Sequence, residues 1–424
     1  MGKDKATHII GEIANINTRL ECLLDSVERE NQSIESARFI RSLISLASTT
    51  AEVVEIQFLL GNAMTQSSGR SAIRAAAAVK QIRLCIGADQ REDEIQPPQK
   101  ETRSTIPPLR NLKRTLRPFG GKALEYRGLE FASYDKQQVL VQWKVAEDDQ
   151  WPKYADQMKS LTVVLVSLSD QSFRCLPCLG YYSAESRGRH GLIFSLPNSS
   201  GPWKMASLSH IIEQQTRVPL NRRLHVSRAL AETVLQLHTA GWLHKNLRSE
   251  NVIFLGASDA SDEDMLRSEP FVMGYDSARP DTTDAAAAFT QSPEPDLMAD
   301  LYRHPQARGL GRETFQKRFD MYALGCMLLE IMCWEPLLSM HHRFTMPDLA
   351  LGIKEEVLKN KVIEIPTVWD LFSSGEAMSF ARHQVGGYMV ETMSMCAKTP
   401  KADGQDASMD VQHNVLEKLL WWRV

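Results

Sequence analysis

The stretch that decides the reading runs Asn221-Arg-Arg-Leu-His-Val-Ser-Arg-Ala-Leu-Ala-Glu-Thr-Val-Leu-Gln-Leu-His-Thr-Ala-Gly241 and continues Trp242-Leu-His-Lys-Asn-Leu-Arg-Ser-Glu-Asn-Val-Ile-Phe254. Leu230, Val234 and Leu237 recur at helical spacing and form an apolar stripe. Asn221 suits an N-cap, because its side-chain oxygen can accept an orphan backbone N–H. Gly241 stands where a helix ends in the left-handed conformation. A helix, a polar loop from His244 to Asn251 and a short apolar strand are expected in that order.

Upstream of this stretch the periodicity differs. Lys136-Gln-Gln-Val-Leu-Val-Gln-Trp-Lys144 alternates like a strand, with Val139, Val141 and Trp143 on one face and Leu140 and Gln142 on the other. A helix is expected over Tyr154 to Ser167, and strands around Phe173-Arg-Cys-Leu176 and at Gly191–Leu196. Residues 202–250 and 320–398 read as largely helical. Ser258–Asp264 reads as an acidic hairpin insertion between strands. Cys175-Leu-Pro-Cys178 is a single CxxC; zinc needs four ligands and no second pair lies at suitable spacing, so packing is preferred to metal or redox chemistry.

The N-terminal ninety residues are helical by period. Ile9, Ile13, Ile16, Leu20, Leu23 and Val27 make a one-sided seam. A second helix is expected over Ser33–Met64, with Ile40, Leu43, Leu46 and Ala47 inward. A third carries Ile73, Ala76, Ala77, Lys80 and Leu84 on one side, with Gly87 as its stop. Short connections suggest an antiparallel bundle over 1–88, either a scaffold or dimerisation element or a regulated effector. Residues 89–123 read as a linker, with the charge run Asp89–Glu94 and two Pro-Pro pairs. Residues 124–424 form the remaining domain.

The chain has 424 residues, enough for two or three cores. Lys+Arg 49 against Asp+Glu 52 gives a net charge of −3, so no global field draws it to nucleic acid or an anionic membrane. The basic cluster Arg110, Lys113, Arg114, Arg117 and Lys122 lacks the interleaved aromatics that stack bases, and reads as a solvated face. Seven scattered cysteines make no disulfide framework and suit a reducing compartment, so a cytoplasmic location is expected. No run reaches the ~18 apolar residues of a membrane span, and the N-terminus opens without a signal peptide.

Four segments in order resemble a known family. His244-Lys-Asn-Leu-Arg-Ser-Glu-Asn251 resembles the catalytic loop of eukaryotic protein kinases, H-R-D-L-x-x-x-N. Phe271-Val-Met-Gly-Tyr-Asp-Ser-Ala-Arg279 resembles the family's strand and DFG segment. Tyr302-Arg-His-Pro305 resembles the residues around A-P-E. Phe319-Asp-Met-Tyr-Ala-Leu-Gly-Cys-Met-Leu-Leu-Glu330 resembles its long central helix. More closely, the wording resembles fungal kinase-like domains that follow helical N-terminal domains of the prion-propagation and incompatibility type. The resemblance implies an α+β, bilobal fold, with a small β-rich N-lobe over about 124–200 and a larger α-helical C-lobe from about 201, preceded by the bundle.

The departures from the family carry the functional expectation. Asn246 stands where the family has the catalytic aspartate, and an amide cannot take up the substrate proton; such a base is worth ~10²–10⁴-fold. Gly274, Tyr275 and Asp276 stand at DFG, and Gly274 has no ligand for Mg²⁺. The glycine-rich loop is missing, since only Gly120-Gly121 and Gly128 occur nearby. Strict alignment puts Gln142 at the third-strand lysine, with Lys144 two residues on. No glutamate occurs between 148 and 184, and Asp156 is the nearest carboxylate on the expected helix. His244, Leu247, Asn251, Asp320 and Gly325 match positions that brace the scaffold, which leaves Asn251 a structural hydrogen-bonding role. Lys245, in place of the family arginine, offers a point charge without a bidentate fork.

The resemblance therefore implies a pseudokinase that signals through protein partners, with its kinase-like domain regulating the helices. No cofactor and no metal are expected. Homo-oligomerisation through the N-terminal helices is the expected assembly, and peripheral membrane contact is entertained by analogy. The alternative is an atypical ATP-dependent Ser/Thr kinase, with Lys144 contacting ATP phosphates and Asp276 taking the metal.

Overall fold

The computed structural model describes residues 28, 31–63, 69–92, 117–118, 128–134, 137–145, 151–168, 170–184, 189–197, 202–215, 217–281, 296–309, 312–346, 365–399 and 407–422. The expected first helix and most of the linker lie outside the described residues. The architecture is mixed α+β, with several small antiparallel sheets and a predominance of helix.

The single helix expected over 33–64 is two helices, α1 over 31–46 and α2 over Thr50–Ala63. The break has a local cause. Thr49 Oγ1 accepts from the Glu52 N–H at 3.3 Å, while Glu52 Oε2 accepts from the Ser48 and Thr49 N–H groups at 2.8 and 3.3 Å. This reciprocal capping box satisfies donors that a continuous helix would have bonded itself. Leu46, expected inward, is exposed; Ile44 takes the core position. Helix α3, Gly69–Glu92, passes through Gly87 rather than stopping there. Ile44, Ala47, Val53, Leu60, Ile73 and Ala77 form a small core among these helices. The other side of α3 sends Ala76 and Val79 into the main core.

A five-stranded antiparallel sheet follows, in the order β1-β2-β3-β5-β4. Its strands are β1 Arg117–Pro118, β2 Leu129–Tyr134, β3 Gln137–Val145, β4 Cys178–Ala184 and β5 Arg189–Ser195. Leu140, Leu192 and Phe194 face the helix α4, Trp151–Ser167, through Met158, Leu161 and Leu165. Val139, Val141 and Ile193 form a separate cluster on the opposite face, flanked by Trp143. The alternation of β3 was thus legible. Gly191 lies opposite Trp143, and a Cβ there would come within 2.8 Å of the indole. Residues 171–173 are a 3₁₀ turn capped by Asp170 instead of a strand, and the strand begins at Cys178. Burial pushes the Cys178 thiol up to about 12, which keeps it protonated and unreactive.

The stretch expected to be helical from 202 opens with a strand, β6 Trp203–Ser207, before α5 Leu208–Glu213 and α6 Leu220–Thr239. Pro219, not Asn221, takes the N-cap position of α6. Pro219 lacks an N–H and its fixed φ suits a helix start. Gly241, with φ 71°, ends the helix as expected. Then come β7 Trp242–Leu243, β8 Val252–Ala257, the one-turn helix α7 Asp262–Leu266, β9 Phe271–Val272 and β10 Arg279–Pro280. Antiparallel pairing of β7 with β10 and of β8 with β9 holds the 244–251 and 273–278 loops face to face.

Beyond them lie α8 Leu297–Tyr302, α9 Lys317–Cys333, α10 Leu337–Phe344, α11 Val368–Ser373, α12 Gly375–Ala397 and α13 Ala407–Trp421. Every residue of α9 is buried. At Gly325 a Cβ would meet the Ala397 nitrogen at 2.9 Å, so glycine lets α12 close onto α9. Among the described residues no single helix is long and apolar enough to cross a membrane.

Candidate functional site

The site forms where the two facing loops meet β3. Asp320, in the first turn of α9, is the anchor of the first loop. Its Oδ2 accepts from the His244 N–H at 2.8 Å and its Oδ1 from the Lys245 N–H at 2.9 Å. His238 Nε2 stands 3.1 Å from the same Oδ2, and Gln412 Nε2 on α13 stands 2.7 Å from His238 Nδ1. The loop is bent sharply, with Lys245 at φ 67°, a conformation that costs a non-glycine residue on the order of 1 kcal/mol.

The His244 ring is buried, and its Nδ1 accepts the Asn246 N–H at 3.3 Å. Burial lowers its pKa to about 4, against the pull of Asp320 and Asp276. A neutral ring keeps the Nδ1 lone pair that this bond uses. Tyr275 packs against it in a tilted arrangement, with centroids 4.9 Å apart and ring planes at 58°, and its hydroxyl donates to the Phe173 carbonyl at 3.3 Å. Burial, followed by the neighbouring Arg279 and Lys144 charges, lowers the Lys245 pKa to about 7.

Asn251 Nδ2 donates to the Asn246 carbonyl at 2.7 Å, and the Asn251 carbonyl accepts from Met273 N–H at 2.7 Å. Gly274 sits against this pair at φ 91°; a Cβ there would stand 2.6 Å from Asn251 Nδ2 and 3.3 Å from Asn246 Nδ2. The Gly274 N–H donates to Gln142 Oε1 at 3.1 Å. Gln142 Nε2 in turn donates to Asp276 Oδ1 at 2.5 Å, and Lys144 Nζ pairs with Asp276 Oδ2 at 3.1 Å. Both residues weighed for the third-strand lysine therefore reach one carboxylate, since positions i and i+2 share a strand face.

His244, Asn246, Asn251, Gly274, Tyr275, Asp276, Lys144 and Asp320 come together as one site. Arg248 turns away toward Glu250 and Asp296, each at 3.5 Å. Gly325 lies behind, at the α9–α12 contact. Asp156 belongs to α4, but its side chain is outside the described residues. Sequence reasoning missed Gln412, which sits on a helix far along the chain and has no motif around it. It also missed the buried Glu330, which accepts from the Tyr302 hydroxyl at 2.6 Å and whose pKa burial raises to about 7.

For a magnesium nucleotide the donor set is poor. Gly274 offers no ligand, Asn251 offers a neutral amide, and the Asp276 carboxylate is already met by an ammonium and an amide. Among the described residues no cluster of three or more His, Cys, Asp or Glu could hold a metal ion. No protein-family model matches the chain, and no curated protein matches it in sequence.

Proposed function

We propose that this is a pseudokinase of bilobal kinase-like fold, resembling the fungal kinase-like domains that follow helical incompatibility-type domains. In this reading it signals by interaction, and the kinase-like part governs the N-terminal helices. The observation that carries the reading is the packing of Gly274 against the amides of Asn246 and Asn251. At the two positions where a phosphotransferase carries a carboxylate for Mg²⁺ and another for the substrate hydroxyl, this chain has Gly274 and Asn246, and the nearby Asp276 carboxylate is engaged by Gln142 and Lys144. Asp320 with its two backbone partners, and His244 packed against Tyr275, support retention of the scaffold.

The test is a phosphotransfer assay with γ-labelled ATP and Mg²⁺ or Mn²⁺, paired with nucleotide-dependent thermal shift. The reading expects no turnover, and it fails if turnover appears and is lost on changing Lys144 or Asp276. Nucleotide binding without turnover would give about 2.7 kcal/mol of stabilisation at 100-fold excess over Kd, and would leave the pseudokinase reading intact.

A second reading, an atypical ATP-dependent Ser/Thr kinase, is favoured by one observation. Lys144 and Asp276 form an ion pair inside the site, and these two groups could be re-partnered by phosphate and metal.

A further inference from the structure

The seat of the N-terminal helices and the brace of the 244–246 loop converge on one residue. Ser45, at the end of α1, gives its carbonyl to Lys80 Nζ at 2.8 Å and its hydroxyl to Lys317 Nζ at 2.9 Å. Lys317 Nζ also lies 3.6 Å from Asp281 Oδ2. The Asp281 N–H donates to the Gly241 carbonyl at 2.9 Å. Side chains of α3 press on Gly241: a Cβ there would meet Lys80 Nζ at 3.3 Å and collide with the Arg83 guanidinium. Lys317 opens α9, and Asp320 follows in the same turn. The group that seats the helices is thus rigidly tied to the group that holds the His244 and Lys245 N–H donors.

A second route reaches the same carboxylate. Arg38 on α1 donates to Asp410 at 3.0 Å and to Asn414 at 3.2 Å, both on α13. Between them on that helix stands Gln412, which meets His238, which meets Asp320. The links between elements are hydrogen bonds or ion pairs between named atoms, the links from Lys317 to Asp320 and from Asp410 to Gln412 run along one helix each, and neither route shares a side chain with the other before Asp320.

We propose that docking of helices α1 to α3 and the posture of the 244–246 loop are two readouts of one equilibrium, coupled through Lys317, the Arg38–α13 contact and Asp320. A protein partner that reshapes the loop would then unseat the helices, and unseating the helices would loosen the loop by the same factor, because coupling of equilibria is reciprocal. This deepens the proposed function and rests on its reading of the helices as a regulated unit.

The experiment is amide hydrogen exchange on the full chain, comparing wild type with Lys317→Met and Arg38→Glu. Peptides from 69–86, from 242–246 and from 137–145 are followed. The expected result is exchange about fivefold or more faster in both 69–86 and 242–246, on the scale of a typical coupling, with 137–145 unchanged. Faster exchange in one of the two segments alone, or in neither, overturns the proposal. Should Lys317→Met loosen all three, Arg38→Glu is judged by the same criterion, because its site is half-exposed and its replacement tolerable; loosening of 137–145 in both variants also overturns it. The readout uses neither nucleotide nor phosphate, so its failure is distinguishable from that of the pseudokinase reading.

Discussion

Asp320 Oδ2 and His238 Nε2 lie 3.1 Å apart in a site where both side chains are almost wholly buried. The carboxylate that holds the His244 and Lys245 N–H groups is therefore itself oriented from behind. A buried carboxylate with three donors is stable only as a complete set, since each donor left unmatched costs its full desolvation.

Asp320→Asn replaces one acceptor oxygen with an NH₂ that faces donors. It is expected to cost about 2–4 kcal/mol, read as a drop in urea midpoint at unchanged m-value. An effect under 0.5 kcal/mol would show that the loop is held elsewhere.

Gly325→Ala inserts a methyl into the 2.9 Å approach to the Ala397 nitrogen. The expected cost is about 1–3 kcal/mol, the usual range for overpacking. Gly387→Ala on α12 meets nothing within 4 Å and serves as the control, with no loss of stability in the same denaturation assay.

Installing the two carboxylates that a phosphotransferase would need is expected to fail. Gly274→Asp must place a side chain on a φ of 91° and against Asn251 Nδ2 at 2.6 Å. The strain should cost about 1–3 kcal/mol. Asn246→Asp combined with Gly274→Asp should melt earlier than wild type and transfer no labelled phosphate from ATP. Robust transfer by the double variant would mean that the site can be rebuilt by two residues.

Acid should destabilise the protein through its buried histidines. Burial lowers His244, His304, His341 and His413 to about 4, from an ordinary value near 6.5. The unfolded chain binds more protons over that window, so the stability these groups contribute is full above about pH 6.5 and is lost as pH falls through about 4. Glu330, raised to about 7, acts in the opposite sense: its contribution is full below about 4.5 and fades as pH rises through about 7. Burial raises Glu232 and Glu335 as well, but neither is moved as far as Glu330, and the four histidines give a net loss toward acid. His341→Gln should flatten the pH 4–6.5 limb of a stability profile, and Glu330→Gln should steepen it.

Much of the site was legible because its spacing is short-range. His244, Asn246 and Asn251 share one loop, Gly274 and Asp276 another, and the alternation of Gln142 and Lys144 puts both on one face. The helix of residues 317–333 announced itself by its apolar run around Gly325. What escaped has a different physics. The break at Ser48-Thr49 depends on a side-chain carboxylate reaching back to two N–H groups, which competes with a helical period that continues across it. The strand at Trp203 lies beside an otherwise helical segment, and its pairing with β8 is fixed by residues some fifty positions on. Gln412 carries no pattern at all; only the packing of α13 on α6 brings it to His238.

That last contact bears on where the chain can be cut. A shortened version ending near residue 400 would keep every motif a reader would recognise, yet it would remove the amide behind His238 and let solvent in at the rear of the Asp320 pair. The region after the recognisable motifs is therefore a buttress for the loop, and a boundary drawn by motif alone would trim away part of what keeps it in shape.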